Sequence, residues 1–292
     1  MLPYLYLFLS VFFSAFITVA FNFAAKLHIN LFQAIVVNYL VCIITAIAVN
    51  GGLSIPYMVT NKPWFYWAIV MGLFFIVFFN IIGVTAKIAG VSVATVSNKL
   101  SLIIPFLLSV FFLNATYNGI NIVGGIVAIT AVFFTCFQPQ SKTFKATKLT
   151  YILPAVLFLG SGLLDFLIKY ATTQLMTTAE EYLFFIVGFA TAFSVGASIL
   201  IYQLITTKTI IAKKSVTTGI IIGVPNYFSF YFLVKFINSG LITGATAIPI
   251  NNIAVVIGSA ILAFLVVNEK LSTINLIGIG LAVLSIVLLA YN

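Results

Sequence analysis

The chain has 292 residues, of which 63% are hydrophobic and only 6% are charged. A soluble fold usually needs about a quarter of its residues charged, so this composition excludes a soluble domain and predicts a membrane protein. The net charge is +9, and all 13 basic residues are lysines, so bidentate arginine recognition of phosphate or carboxylate is absent.

Ten apolar segments follow one another along the chain, each near the length of about 20 residues that crosses a bilayer as an α-helix. Short polar turns with asparagine, glycine and proline separate them. The sequence therefore predicts an all-α membrane protein with ten transmembrane helices and no soluble domain. The predicted segments are 3–25, 31–50, 64–86, 91–113, 119–138, 150–171, 178–206, 217–237, 241–267 and 272–291.

Most lysines fall in the short connections between these segments, which is typical of a topology signal facing anionic lipid. This distribution indicates the lipid bilayer as a partner and argues against nucleic acid. The connections after segments 1, 3, 5, 7 and 9 carry more lysines than the other side, so the positive-inside rule favours both termini outside. These lysines are Lys26, Lys87, Lys142, Lys145, Lys148, Lys208, Lys213, Lys214 and Lys270, against Lys62, Lys169 and Lys235.

The chain also repeats itself at fixed offsets, which divides it into a first half at 1–140 and a second half at 141–292. Five segments per half is an odd number, so the second half must enter the membrane with the opposite sense, as an inverted repeat. At an offset of 143 residues, Asn22, Lys26, Asn38 and Tyr39 match Asp165, Lys169, Glu181 and Tyr182. At an offset of 154, Gly90, Asn98, Asn114, Asn121 and Gly124 match Gly244, Asn252, Asn268, Asn275 and Gly278.

The duplicated pattern resembles the drug/metabolite transporter superfamily, in its EamA-like branch. The resemblance is carried by the run Asn268-Glu-Lys-Leu-Ser272 with Asn275 and Gly278, and by Lys26 followed by Asn38. It covers essentially the whole chain and implies ten helices in two inverted five-helix repeats. Two features depart from the family pattern: residues 114–117 replace an acidic-basic pair, and the family's usual arrangement places the termini inside, against the lysine distribution.

Asp165 lies inside an apolar segment, and Lys169 follows at a spacing of i,i+4 on the same helix face. Two interpretations stay open. In the first, the carboxylate and the ammonium neutralise each other as a structural pair, with Lys169 reaching toward the interface. In the second, Asp165 serves transport, because an unpaired acid in mid-membrane costs about 2.5–3.5 kcal/mol and intramembrane ionisable residues mark transport pathways.

Proline and glycine interrupt several segments, and the candidates for a site are those with Pro105, Pro225 and Pro249. Interrupted helices line sites because only a cavity or neighbouring protein satisfies the freed backbone groups. Asn252 matches Asn98 in the repeat, which predicts a pseudo-symmetric pocket; the alternative is hydrogen bonding that only holds the bundle together. The candidate substrate-binding or coupling residues are Asp165, Lys169, Asn22, Lys26, Asn38, Asn98, Lys99, Asn226, Tyr227, Asn251 and Asn252.

A polar turn precedes the seventh segment, where Thr178 and Glu181 have the spacing of a capping box. This spacing predicts a helix cap for Glu181, in preference to a transport role, and a solvated Glu180.

These patterns predict a secondary transporter that moves a small organic metabolite or drug across a bacterial inner membrane by alternating access, with proton coupling through Asp165 as one option. A membrane-embedded enzyme acting on a lipid or prenyl substrate is the alternative, although only two of the four acids are adjacent, and Mg²⁺ chemistry on phosphates needs clustered carboxylates. A channel is a third class, without a recognisable filter sequence. No ATP site is expected, because no phosphate-binding glycine-rich loop occurs. No metal site or other cofactor is expected either, since His28 has no partner ligand at a suitable spacing.

Overall fold

The computed structural model describes residues 2–27, 29–52, 59–89, 91–114, 118–136, 147–208, 210–241, 244–267 and 272–290. Some helical side chains also lie outside the described part, among them those of Asn22 and Lys26. The segment 268–271, which carries much of the family resemblance, lies outside the described residues. Within the described part the protein is all-helical, with eleven α-helices and no β-strand.

The helices are numbered in chain order. A short 3₁₀ turn precedes α3, and a π-helical turn, Ala171–Leu175, extends α7. The bounds are α1 Leu2–Lys26, α2 Leu31–Val49, α3 Phe65–Ala89, α4 Val91–Leu100, α5 Ile103–Phe112, α6 Gly119–Cys136, α7 Lys148–Tyr170, α8 Glu181–Thr206, α9 Lys213–Ile237, α10 Gly244–Val267 and α11 Thr273–Ala290.

Six of the described helices, α1, α2, α3, α7, α8 and α9, are long and apolar enough to cross a membrane. Four shorter apolar stretches accompany them, at Ser97–Phe112, Gly119–Phe134, Thr246–Leu262 and Thr273–Leu289. Large apolar side chains such as Phe111 and Ile205 lie 78% and 74% exposed on the outside of the bundle. Such exposure is expected where helices contact acyl chains instead of water, so the protein has the features of a multi-pass membrane protein.

The predicted fourth segment consists of two helices, α4 and α5, which meet at Ser101 and Leu102. Pro105 explains the break, because a proline ring clashes with the carbonyl four residues earlier, here that of Ser101, and cannot donate to it.

The predicted interruptions of α9 and α10 are wrong, since both helices continue through Pro225 and Pro249. A proline in a helix interior removes one hydrogen bond and tends to bend the helix, but α9 and α10 remain helical on both sides of their prolines.

Helices α6 and α11 pack against each other with opposite directions. Asn121, in the first turn of α6, donates through Nδ2 to the Leu288 carbonyl at the end of α11, at 3.4 Å. Asn275, in the first turn of α11, donates through Nδ2 to the Phe134 carbonyl near the end of α6, at 3.1 Å. The helices are capped by Asn118 and Ser272, whose side-chain oxygens accept from the backbone N–H groups of Asn121 and Asn275. Each of these two asparagines accepts in return through Oδ1 from the backbone N–H of its cap residue.

Three clusters of buried apolar side chains hold the bundle, and the smallest joins α9 to α10. The largest one joins α2, α3, α7, α8 and α9 around Tyr39, Phe75 and Phe189, whose rings lie 5.6–6.2 Å apart. The second one lies where α5, α6, α10 and α11 meet. Between them, α1 packs on α9 and α10, while α7 packs on α3, α4 and α5.

The turn before α8 differs from the predicted capping box by one residue. Glu180 Oε2 accepts hydrogen bonds from the Thr177 backbone N–H at 3.0 Å and the Thr177 hydroxyl at 3.1 Å, and Glu180 Oε1 pairs with Lys62 Nζ at 2.8 Å. The bond from Lys62, together with those from Thr177, lowers the pKa of the Glu180 carboxyl to about 2. Glu181 is not the cap: it is buried and accepts a hydrogen bond from Asn238 at the end of α9.

Helix α9 lies close to α2 because Gly219 and Gly223 have no side chain. A Cβ atom on Gly219 would lie 2.6 Å from the Ala34 carbonyl oxygen of α2. We expect Gly219→Ala to lower the free energy of unfolding by about 1–3 kcal/mol through overpacking. Gly280 on α11 has open space at its Cβ position, so Gly280→Ala should be neutral or stabilise by up to about 1 kcal/mol. Thermal unfolding in detergent measures both, and equal effects would contradict this close packing.

Candidate functional site

A cavity of about 260 Å³ lies among the middle portions of the helices of both halves. Helices α1, α2, α3 and α4 line it from the first half, and α7, α9 and α10 line it from the second half. Its wall has a polar part and an aromatic part. The polar part is formed by Ser14, Thr18, Asn98, Lys99, Ser161, Asp165, Asn226, Ser229, Asn251 and Asn252.

Asp165 is the one acid among the described lining residues. Its Oδ2 accepts a hydrogen bond from Asn252 Nδ2 at 2.7 Å, which joins α7 to α10. The ammonium of Lys99 on α4 is close enough to interact electrostatically with this carboxylate. Lys99 lies in the last turn of α4, just before the break between α4 and α5.

Two asparagines complete the polar wall. Asn251 is 3% exposed, and its Oδ1 has no hydrogen-bond partner among the described residues. A buried acceptor without a hydrogen-bond partner costs free energy, so Asn251 Oδ1 is an unfavourable feature of the packing beside the cavity. Asn226 on α9 donates through Nδ2 to Asn38 Oδ1 on α2 at 3.1 Å, which fixes the wall behind the cavity.

The aromatic part of the wall consists of phenylalanine rings. It is formed by Phe21 on α1, by Phe75, Phe78 and Phe79 on α3, and by Phe230 on α9. The Phe78 ring lies directly against α7 at Gly160, where any side chain would overlap it. The lining therefore combines charged and hydrogen-bonding groups with aromatic rings, the chemical character of many small-molecule sites.

Lys169 does not pair with Asp165. Both side chains are described, and no ion pair joins them. Lys169 is 1% exposed, and its Nζ donates to Ser109 Oγ on α5 at 2.8 Å. Ser109 Oγ in turn donates to the Pro105 carbonyl. The prediction of an i,i+4 pair is therefore wrong, because the packing of α5 against α7 gives the ammonium a different partner.

The predicted site residues fall into three groups. Six of them line the cavity, and Asn38 lies immediately behind it through its bond with Asn226. Two lie elsewhere: Lys169 faces α5, and the Tyr227 hydroxyl accepts a hydrogen bond from Asn50 Nδ2 at 3.1 Å. The side chains of Asn22 and Lys26 lie outside the described part. The six lining residues are Asp165, Asn98, Lys99, Asn226, Asn251 and Asn252.

Sequence reasoning missed the hydroxyl groups of the wall. Ser161 precedes Asp165 by four residues and Ser229 follows Asn226 by three, so each lies on the helix face of a predicted residue. Helical spacing alone could have found these two. The rings on α3 carried no such signal, since the third segment is rich in phenylalanine on every face.

Comparison with known proteins supports the fold. The chain is 26% identical over 287 residues to an uncharacterized protein of Haemophilus influenzae, and the match covers 94% of each chain. A protein with a solved crystal structure has a TM-score of 0.71 and 14% sequence identity, covering 98% of this chain and 95% of that one. The two share a fold. No protein-family model matches the chain.

The bond between Lys169 and Ser109 gives a stability prediction. Ser109→Ala leaves a buried ammonium without its acceptor and should cost about 1.5–3 kcal/mol, as for hydrogen bonds to charged groups. Lys169→Met removes the ammonium, so adding Ser109→Ala in that background should cost distinctly less. A double-mutant cycle of thermal unfolding gives the coupling between the two residues. Additive effects would show that Ser109 does not hold Lys169.

Proposed function

We propose that the protein is a secondary transporter of the drug/metabolite transporter superfamily, which moves a small organic molecule across the cytoplasmic membrane by alternating access. The observation that carries this proposal is the cavity between the two halves, with Asp165 as its one described acid. An ionisable residue at this depth is costly, and transporters keep such residues in the substrate or coupling-ion site. In this proposal Asp165 binds the cationic part of the substrate or the coupling proton.

The packing of the helices supports an inverted repeat. Asn121 donates to Leu288, and Asn275 donates to Phe134. The two donors are 154 residues apart, and so are the two acceptors, which is the offset of the sequence repeat. Each bond links the start of one helix to the end of the other. A rotation that exchanges two antiparallel helices in this way has its axis perpendicular to them, so in a membrane the axis lies in the membrane plane.

Helix contacts outside this pair follow the same exchange. In the repeat, α2 corresponds to α8 and α3 corresponds to α9. Helix α2 packs on α9, and in the equivalent way α8 packs on α3. Likewise, α1 packs on α9 and α10, whereas α7 packs on α3 and on α4 with α5. Two halves that exchange equivalent contacts can rock against each other around a central site, which is the movement that alternating access requires.

The cavity itself is not symmetric. Toward the α1–α2 and α3–α4 connections, its lining reaches Phe21, Leu31 and Ile82, near the ends of α1, α2 and α3. At the opposite side, the Lys62–Glu180 ion pair and the Glu181–Asn238 hydrogen bond join neighbouring helix ends. This asymmetry supports a conformation in which the site extends toward the lysine-rich side and is closed on the other.

The test is transport in proteoliposomes, with a metabolite panel measured with and without a pH gradient. Asp165→Asn keeps the shape and a hydrogen-bond acceptor for Asn252 but removes the charge. Losing a charge-assisted contact of about 1.5–3 kcal/mol should lower transport by about ten- to a hundredfold and remove its pH dependence, with thermal stability nearly unchanged.

Glu180→Gln is the matched control, because it removes an acid that lies outside the cavity. We expect it to keep the wild-type pH dependence, whereas its rate can change because the ion pair with Lys62 is lost. If Asp165→Asn transports at the wild-type rate with the same pH dependence, Asp165 has only a structural role and the proposed coupling fails.

A further inference from the structure

A second cavity, of about 270 Å³, lies on the far side of α1 from the central one. Helices α1, α9 and α10 form it, and Thr218 is its one polar lining residue. We call it the α1–α9–α10 groove. Its lining residues are Phe16, Val19, Ala20, Phe23, Ala24, Leu27, Ile29, Thr218, Ile221, Ile222, Leu262 and Val266.

The groove has the length of one leaflet of a bilayer. From Phe16 to Leu27, its lining on α1 covers eleven residue steps, or about 16 Å at about 1.5 Å per residue. Half of a hydrocarbon core of about 30 Å is about 15 Å. The groove therefore runs from near the bilayer midplane to the interface at the end of α1.

The shape of the groove suits a single flexible chain. Its floor contains Val19, Ala24 and Ile222, which are 7%, 2% and 1% exposed. Its rim includes Phe23 and Leu27, which are 39% and 63% exposed. Small side chains at Ala20 and Ala24, one turn apart on α1, make the depression, and an apolar chain in it would cover the exposed rim.

A cation lies at the interfacial end of the groove. Lys214 precedes Thr218 by four residues in the first turn of α9, so it lies on the helix face that lines the groove. Lys213 is one residue earlier and lies about 100° around the helix, away from this face. Both lysines are exposed.

We propose that the α1–α9–α10 groove binds one acyl chain of an anionic phospholipid, whose headgroup phosphate contacts the ammonium of Lys214. The apolar lining and the length of one leaflet select an acyl chain. The lysine at the interfacial end selects a negative headgroup over a zwitterionic one. The site depends only on the membrane location of the helices, and not on what the central cavity transports.

Native mass spectrometry of the full chain tests the proposal, with dioleoyl phosphatidylglycerol and dioleoyl phosphatidylcholine as probes. The wild type should bind one phosphatidylglycerol more tightly than phosphatidylcholine. Lys214→Gln should lower the phosphatidylglycerol affinity about fivefold, the effect expected for one lysine near a headgroup. Lys213→Gln, the matched control, should change it less than about twofold. Ala20→Phe, which fills the groove, should remove this first binding event.

Several outcomes would overturn the proposal. Equal losses in Lys213→Gln and Lys214→Gln would show diffuse attraction by surface charge. Equal affinity for the two lipids, or unchanged binding in Ala20→Phe, would show that the groove is not the site. A dimer that Ala20→Phe dissociates would show that a second copy of the chain occupies the groove. If Ala20→Phe does not fold, the two lysine variants decide the matter, since both lysines are exposed.

Discussion

The apolar surroundings of the helices offer no hydrogen-bond partner, and this constraint decides where the few polar side chains of the protein lie. Most of them are paired inside the bundle. Lys169 donates to Ser109, Asn226 donates to Asn38, and the asparagines at the starts of α6 and α11 donate to each other's helix ends. Asp165 differs from these residues because its carboxylate, although bonded to Asn252, faces a cavity.

The same constraint links stability to the proposed function. A polar side chain that only holds helices together can be satisfied by one neighbour, as Lys169 is. The central cavity instead gathers an acid, a lysine, four asparagines and four hydroxyl residues on five helices, together with phenylalanine rings. Asp165, Lys99 and these amides and hydroxyls could contact a ligand with polar groups, which is why the cavity carries the proposed function.

The sequence predicts helix positions well because the length of each apolar run and the polar turns that end it are local properties. The repeat offset of 154 residues also has a direct counterpart in the structure, in the reciprocal bonds of Asn121 and Asn275. Cavity residues on predicted helix faces, such as Asn98 and Asn252, follow from the repeat. The partner of each buried polar side chain does not follow from the sequence. Lys169 contacts a residue 60 positions earlier, and Glu181 contacts α9, because helix packing and not spacing decides which neighbour each face meets.

Labelling of a cysteine in the cavity from each side of the membrane tests the central account most directly. In a chain with Cys42 and Cys136 replaced by serine, Ser161→Cys lies in the cavity one turn from Asp165, and Leu157→Cys lies one turn earlier in a buried position as the control. A membrane-impermeant maleimide should label Ser161→Cys in both right-side-out and inside-out vesicles and leave Leu157→Cys unlabelled. Labelling of Ser161→Cys from one side only, or from neither, would contradict alternating access to this cavity.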